Sequence, residues 1–375
     1  MIYFDNSATT KPCKECISAI NLALNENWGN PSSLHKMGIN AEKILTDARE
    51  TVAKELGCDE KEIYFTSGGT EANNLAVFGA VYANKRRGNR IVTTAVEHHS
   101  VLECFDRLES EGFEVIRLMP DKNGNINKQD IWNAIDSNTI FVSIMLINNE
   151  TGAIFPVSEA KKAIVASSSP AILHTDAVQA FGKIKVKVKD LGADLITVSG
   201  HKIGGPKGVG ALYKASSCRI AAHTIGGGQE KNLRSGTEAV PLIAGFGAAC
   251  KLIDFSHSDH VIELNRYLRG KLEGVDGIVI NSDSDASPYI LNISVPGYRS
   301  ETLLHFLEAR EIYVSSGSAC AKGKGSHVLN AMKLDRKRVD GALRLSFSNE
   351  NTIEEADSFL EALLLAKKVL RSSVR

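Results

Sequence analysis

Short apolar runs and longer amphipathic segments alternate along the first two thirds of the chain. Residues 39 to 56, INAEKILTDARETVAKEL, carry apolar positions at helical spacing and stop at Gly57, a residue suited to ending a helix. EIYFTS then reads as a strand and EANNLAVFGAVYANKRR as a helix. The runs RIVTTAV, FEVIRLM, TIFVSIML and AILHTDA read as further strands, and SVLECFDRLESEG, KQDIWNAI and SEAKKAIVASS as helices. Strands that alternate with helices predict an α/β fold, a mostly parallel sheet with helical crossovers, extending to about residue 250.

Beyond that point the pattern changes. AVPLIAGFGAACKLIDF and VIELNRYLRGKLEG read as helices, IVINS and YILNISV as shorter strands, ETLLHFLEAR as a helix, IYVSS and ALRLSFS as strands. A last helix opens with Thr352 and Glu355 at the spacing of a capping box. This order predicts a second, smaller α+β domain. The organisation expected is an N-terminal arm over 1–14 packing with the small domain, a large domain over 15–255 and a small C-terminal domain over 256–375.

Composition adds limits. The 375 residues are 43% hydrophobic and 23% charged, the balance of an ordinary globular enzyme. Lys plus Arg and Asp plus Glu both total 44, which supplies no reason to expect direct nucleic-acid binding. No run approaches the length needed to span a bilayer, and MIYFDNSATTKP lacks the pattern of a secretory leader, so a cytoplasmic protein without membrane contact is expected. Seven scattered cysteines are poor material for a disulfide framework. Cys13 and Cys16 form a lone C-x-x-C, too little for a zinc or redox assignment, and no metal site is expected.

Candidate chemistry sits where strands end. TSGGTEANN (66–74), with Gly69 and Thr70, follows a strand and opens a helix; it is either an anion cradle or a plain glycine turn, and it matches neither nucleotide-binding fingerprint. Asp176 ends the strand of HTDAVQ, as a helix cap or as a partner for a cationic ring nitrogen. Lys202, in SGHKIGGPKG, is either a solvated lysine or the kind whose lowered pKa makes it the covalent partner of a carbonyl cofactor. The three together are the parts that pyridoxal phosphate requires.

DNSATT, TSGGTEANN, EHHSVL, NNETG, HTDAVQ, SGHKIGGPKGVGALY, RSGT, SGSAC and LRLSFS occur in this order over almost the whole chain. With them the sequence resembles the cysteine desulfurases of the NifS/IscS type, in the aminotransferase class V group of fold-type I pyridoxal-phosphate enzymes. The resemblance implies that Lys202 holds pyridoxal 5'-phosphate and moves protons. Asp176 would pair with the ring nitrogen, Gln179 and Asn149 would contact the phenolic oxygen, and His98 would stack on the ring as acid and base. Gly69, Thr70, Ser199 and His201 would hold the phosphate. Thr237 of RSGT would reach the phosphate of the other subunit of a homodimer, and Arg344, with Asn149, would bind the substrate.

By the same resemblance Cys320 of SGSAC takes the sulfur of L-cysteine as a persulfide, leaving L-alanine. Its neighbourhood, SSGSACAKGKGS, has no apolar residue larger than alanine and reads as an exposed loop, with Lys322 and Lys324 near enough to influence the thiol. The sulfur would pass to an acceptor protein, an iron–sulfur scaffold or a tRNA-thiolation enzyme. A selenocysteine lyase or a class V aminotransferase would share the cofactor set. A non-enzymatic sulfur carrier would not need Lys202 and Asp176.

Overall fold

A computed structural model of the chain describes residues 1–316 and 325–371. Its strands, in chain order, are β1 (Ile2–Tyr3), β2 (Ile63–Thr66), β3 (Arg90–Thr94), β4 (Glu114–Leu118), β5 (Thr139–Ser143), β6 (Ile172–Asp176), β7 (Leu195–Ser199), β8 (Gly210–Lys214), β9 (Val279–Ile280), β10 (Ile290–Ser294), β11 (Ile312–Tyr313) and β12 (Ala342–Ser346). The central sheet is seven-stranded in the order β2-β8-β7-β6-β5-β3-β4. Pairs from β7 to β4 are parallel, while β8 runs against both of its neighbours. The α/β fold with a mostly parallel sheet is therefore as the alternation predicts.

Helices cover both faces of the sheet, and successive residues of its strands feed two apolar clusters. Ile91 and Leu195 belong to one, Val92 and Ile196 to the other. Burial on both faces explains why these strands read as continuous apolar runs. The helix expected over 39–56 spans Lys36–Leu56 and ends as expected, with Gly57 at φ 72°. The short helices Val188–Leu191 and Arg336–Asp340 have no counterpart in the pattern reading, and neither does the longer helix Lys14–Glu26. The Cys13 sulfur caps it by accepting from the Cys16 N–H, so the C-x-x-C pair begins a helix. Among the described residues no cluster of His, Cys, Asp and Glu is suited to a metal, and no helix is long and apolar enough to cross a membrane.

The later strands form a three-stranded antiparallel sheet, β12-β10-β9. The chain's start is joined to this region. β1 pairs with β11 in parallel, Asp5 bridges to Ser346, and Phe4 packs edge-on against Phe347 with ring centroids 5.2 Å apart. The final helix, Ile353–Val369, carries the capping box, with Thr352 accepting from the Glu355 N–H and Glu355 accepting from the Thr352 N–H.

Candidate active site

Parallel strands direct their carboxyl ends, and the loops that leave them, to one edge of a sheet. β2, β3, β5, β6 and β7 deliver there Gly69 and Thr70, His98, Asn149, Asp176 with Gln179, and Ser199 with Lys202, around a cavity of about 340 Å³. His201 and Arg344 also line it. Of the site residues expected from sequence, Thr237 is exposed and is not part of this lining, and Cys320, with Lys322 and Lys324, lies outside the described residues.

The helix Gly69–Asn84 points its first turn into the cavity, and Gly68 before it has φ 149° and supplies no side-chain cap. The free backbone N–H groups of that turn and the positive end of a sixteen-residue helix make an anion cradle. A Cβ on Gly69 would come within 3.0 Å of Val178 Cγ2, so a larger residue would press into the packing beside the cradle. Arg234 of RSGT clasps Glu71 of this turn, Nε donating to Oε1 at 2.6 Å.

A line of hydrogen bonds crosses the cavity wall. Asp176 accepts from Asn73 Nδ2 at 2.7 Å and from the Val178 N–H at 2.9 Å. Asn73 also donates to Ser100 Oγ at 2.8 Å, and Ser100 Oγ lies 2.8 Å from His98 Nδ1. The Ser100 N–H also donates to His98 Nδ1, at 3.1 Å. With Nδ1 an acceptor, the His98 proton sits on Nε2. Burial, with Lys202 and His99 nearby, holds the His98 pKa below its ordinary value against the opposing pull of Asp176.

Lys202 Nζ donates to the backbone carbonyls of Ser7 and Ala8 in the DNSATT segment. His201 Nδ1 is 3.3 Å from Thr9 Oγ1, and burial beside Lys202 and Lys207 lowers its pKa to about 4. It is therefore a neutral ring at pH 7. Arg344 donates from Nη1 to the Asn149 carbonyl at 2.9 Å and from Nη2 to Asp5 Oδ1 at 2.8 Å.

Sequence reading assigned no role to several residues that matter here. Glu97 and Glu150 are buried; desolvation raises their carboxyls to about 8 and about 7. Glu150 accepts from the Ser326 hydroxyl, which also caps the helix His327–Ala331. His327 stands against His99, ring centroids 4.7 Å apart, and its Nε2 is 3.0 Å from the Glu97 carbonyl. Lys183 is buried, and desolvation, with Lys202 and Arg344 nearby, brings its pKa down to about 7. The motifs EHHSVL and NNETG contain the two glutamates, so that signal was present; nothing local marks Ser326, His327 or Lys183.

The wall also carries buried polar atoms that have no hydrogen-bond partner among the described residues: Ser7 Oγ, Asn73 Oδ1, Asn149 Oδ1, Ser199 Oγ and Arg344 Nε. Buried polar groups are seldom left so, and five around one cavity mark a site shaped for a polar occupant. The described thiols offer a contrast. Burial lifts Cys16 to about 11 and Cys58, Cys104 and Cys218 to about 12, the condition of unreactive cysteines.

The aminotransferase class-V family model matches residues 2–359. The chain belongs to this family. A NifS/IcsS protein homolog of Lactobacillus delbrueckii subsp. bulgaricus is 43% identical over 370 residues, covering 96% of each chain. A protein named cysteine desulfurase IscS from Clostridium botulinum is 41% identical over 372 residues, covering 96% of this chain and 93% of its own. Among solved structures, a NifS-like protein superposes with a TM-score of 0.93 at 36% identity, covering 98% of this chain and 100% of the other. SspA in complex with cysteine does so with a TM-score of 0.83 at 31% identity, covering 94% and 100%. The class V membership fits the cavity described above, with its lysine, its strand-end carboxylate and its anion cradle.

Proposed function

We propose that this chain is a pyridoxal-phosphate-dependent cysteine desulfurase that converts L-cysteine to L-alanine and passes the sulfur, through a persulfide on Cys320, to an acceptor protein in the cytoplasm. The observation that carries this reading is the convergence of Lys202, Asp176 and the helix N-terminus at Gly69 on a cavity with five unpartnered polar atoms. Names of the relatives add L-cysteine as the substrate.

The wall fits the cofactor group by group. The cradle, Thr70, Ser199 and neutral His201 suit a phosphate, and the unpartnered Ser199 hydroxyl is a donor ready for it. Asp176, oriented by Asn73 and the Val178 N–H, suits a protonated ring nitrogen. Gln179 and Asn149 suit the phenolic oxygen. When bound, the cofactor supplies an electron sink for charge developing on the α-carbon of the amino acid.

The protein's part is to bind, orient and move protons. Lys202 would hold the cofactor and would take the proton from the substrate's α-carbon. His98, its proton on Nε2, stacks on the ring and acts as acid. Arg344 keeps two donors engaged with Asn149 and Asp5 and has Nε unpartnered, so a substrate carboxylate completes its set.

In the sulfur step the Cys320 thiolate forms an S–S bond as the substrate's C–S bond breaks. The transferred sulfur is oxidised to the sulfane level, and the β-carbon is reduced to the methyl group of alanine. No external redox partner is needed until the sulfur leaves. Both flanks of the segment that holds Cys320 support the assignment: Ser315 exchanges backbone hydrogen bonds with Arg344, and Gly325 lines the cavity. Cys320 lies five positions before Gly325, and an extended chain over five steps reaches roughly 17 Å. Thr237, exposed three residues after Arg234, supports the homodimer in which it serves the partner's site. The acceptor is an iron–sulfur scaffold or a tRNA-thiolation enzyme.

The test is incubation with L-cysteine and a reductant. Alanine and sulfide should form in equal amounts, and Cys320→Ala should abolish sulfide while L-cysteine still perturbs the cofactor spectrum. Exchange between alanine and a keto acid, without sulfide, would replace this reading by an aminotransferase.

A further inference from the structure

Lys183 is the feature of the site that stability least explains. It lies seven residues after Asp176, on the turn that follows β6, and only 6% of it is exposed. Among the described residues no acidic side chain forms an ion pair with it. Its compensation is one hydrogen bond, from Nζ to Gln179 Oε1 at 2.9 Å, and the face of the Tyr289 ring 5.9 Å away. A buried ammonium so weakly matched is normally less stable than an apolar side chain of the same volume.

The hydrogen bonds on either side of it show what it accomplishes. A backbone carbonyl only accepts, so the Ser7 carbonyl at one end of the Gln179 amide fixes that end as Nε2 and leaves Oε1 toward Lys183, which donates to it. Oε1 receives Lys183 Nζ, and Nε2 donates to the Ser7 carbonyl at 2.9 Å. Gln179 lines the cavity and Lys183 does not. The amide oxygen is thus engaged by a group behind the wall, and what Gln179 offers an occupant is N–H. The same Ser7 carbonyl receives Lys202 Nζ, so the orientation of Gln179 and the resting place of Lys202 share one acceptor.

We infer that Lys183 is a positioning residue, which locks the Gln179 amide so that it meets the cavity as a hydrogen-bond donor to an anionic oxygen. The inference rests on the pyridoxal-phosphate reading, in which that oxygen is the phenolic one. Without Lys183 only the Ser7 carbonyl still orients the amide, and Oε1, left with no donor behind the wall, is drawn toward the cavity, where its lone pairs repel the anion. An anion that loses a donor is less stable, and the proton that shares its charge is released at higher pH.

The experiment is a pH titration of the visible absorbance of full-length protein loaded with pyridoxal phosphate, for the wild type, Lys183→Met, Gln179→Ala and the double variant. Lys183→Met keeps the volume and should raise the thermal midpoint. It should also move the spectral midpoint upward by about one pH unit, the scale on which a lost donor acts. Gln179→Ala should move it the same way, and adding Lys183→Met to it should change nothing more. Lys183→Gln, which retains an N–H donor toward Oε1, should shift the midpoint less than Lys183→Met. A midpoint that Lys183→Met leaves in place overturns the inference, as does a shift that persists in full on the Gln179→Ala background, which would make Lys183 a distant charge only. Wild-type protein that shows no visible band on loading would overturn the cofactor reading and this inference with it. A normal band unmoved by Lys183→Met would overturn this inference alone.

Discussion

At the scale of single residues, the buried ionisable groups near the sheet pull stability in opposite directions with pH. His174 lies between Ser143 Oγ, 2.8 Å from Nδ1, and Thr197 Oγ1, 3.1 Å from Nε2, and burial drops its pKa from 6.5 to about 3. The unfolded chain therefore binds this proton first, and stability is lost as pH falls from 6.5 toward 3. His174→Gln should flatten that loss, seen as a smaller drop in the urea midpoint between pH 7 and pH 5. Glu97 behaves in reverse. Its folded pKa of about 8, against 4.5 unperturbed, means that its contribution is full at low pH and disappears as pH rises through 8. Its Oε1 accepts from the Met145 N–H and Thr94 Oγ1 while Oε2 has no partner, so a glutamine satisfies the same contacts. Because that loss runs from pH 4.5 to 8, Glu97→Gln should lie close to the wild type near pH 4.5 and exceed it by a margin that grows up to about pH 8 in chemical denaturation. Arg344 is a question of geometry, since its planar fork serves Asn149 and Asp5 and, in the function proposed above, the substrate carboxylate as well. Arg344→Lys should raise KM for L-cysteine by about tenfold or more with the cofactor band intact.

At the scale of elements, termini with local chemistry were the most legible. Gly57 announced the end of one helix and the pair Thr352 and Glu355 the start of another, because capping depends on residues three or four apart. Thr352→Ala should lower stability by about 1 kcal/mol, read as a reduced urea midpoint at unchanged slope. The helix Lys14–Glu26 was obscured for a physical reason: Ile17, Leu22 and Leu24 are exposed while Cys16 and Ala23 are buried, so its apolar residues do not trace a core-facing stripe. β1 and β11 were invisible as a pair because each is two residues long and its partner lies at the other end of the chain. In the site, Asp176, Lys202 and the Gly69 turn were readable from motif chemistry. Ser326 acts through a carboxylate of a distant segment, which no local pattern records, and Lys183, though its partner Gln179 is only four residues away, reads as a surface lysine because its burial depends on the rest of the fold.

At the scale of the whole molecule, the first ten residues join the C-terminal strands to the cavity. Phe4 is fully buried between Phe347 and Phe359, next to Asp5, which holds Arg344. Phe4→Ala should cost about 3 to 5 kcal/mol, and it should also raise KM for L-cysteine because Asp5 loses its support. Denaturation and steady-state kinetics on the same preparation would separate the two effects.

Synthesis on the ribosome proceeds from the N-terminus, and that gives the arrangement a consequence in time. Ser7 emerges early, yet the Lys202 amine that donates to its carbonyl follows 195 residues later, and the Arg344 partner of Asp5 follows 339 residues later. The opening segment therefore gains its partners in two stages, Ser7 when roughly half of the chain has been made and Asp5 only when most of it has. A nascent chain arrested before Arg344 lacks part of the cavity wall, so stable binding of an occupant there would mark a polypeptide translated past that residue.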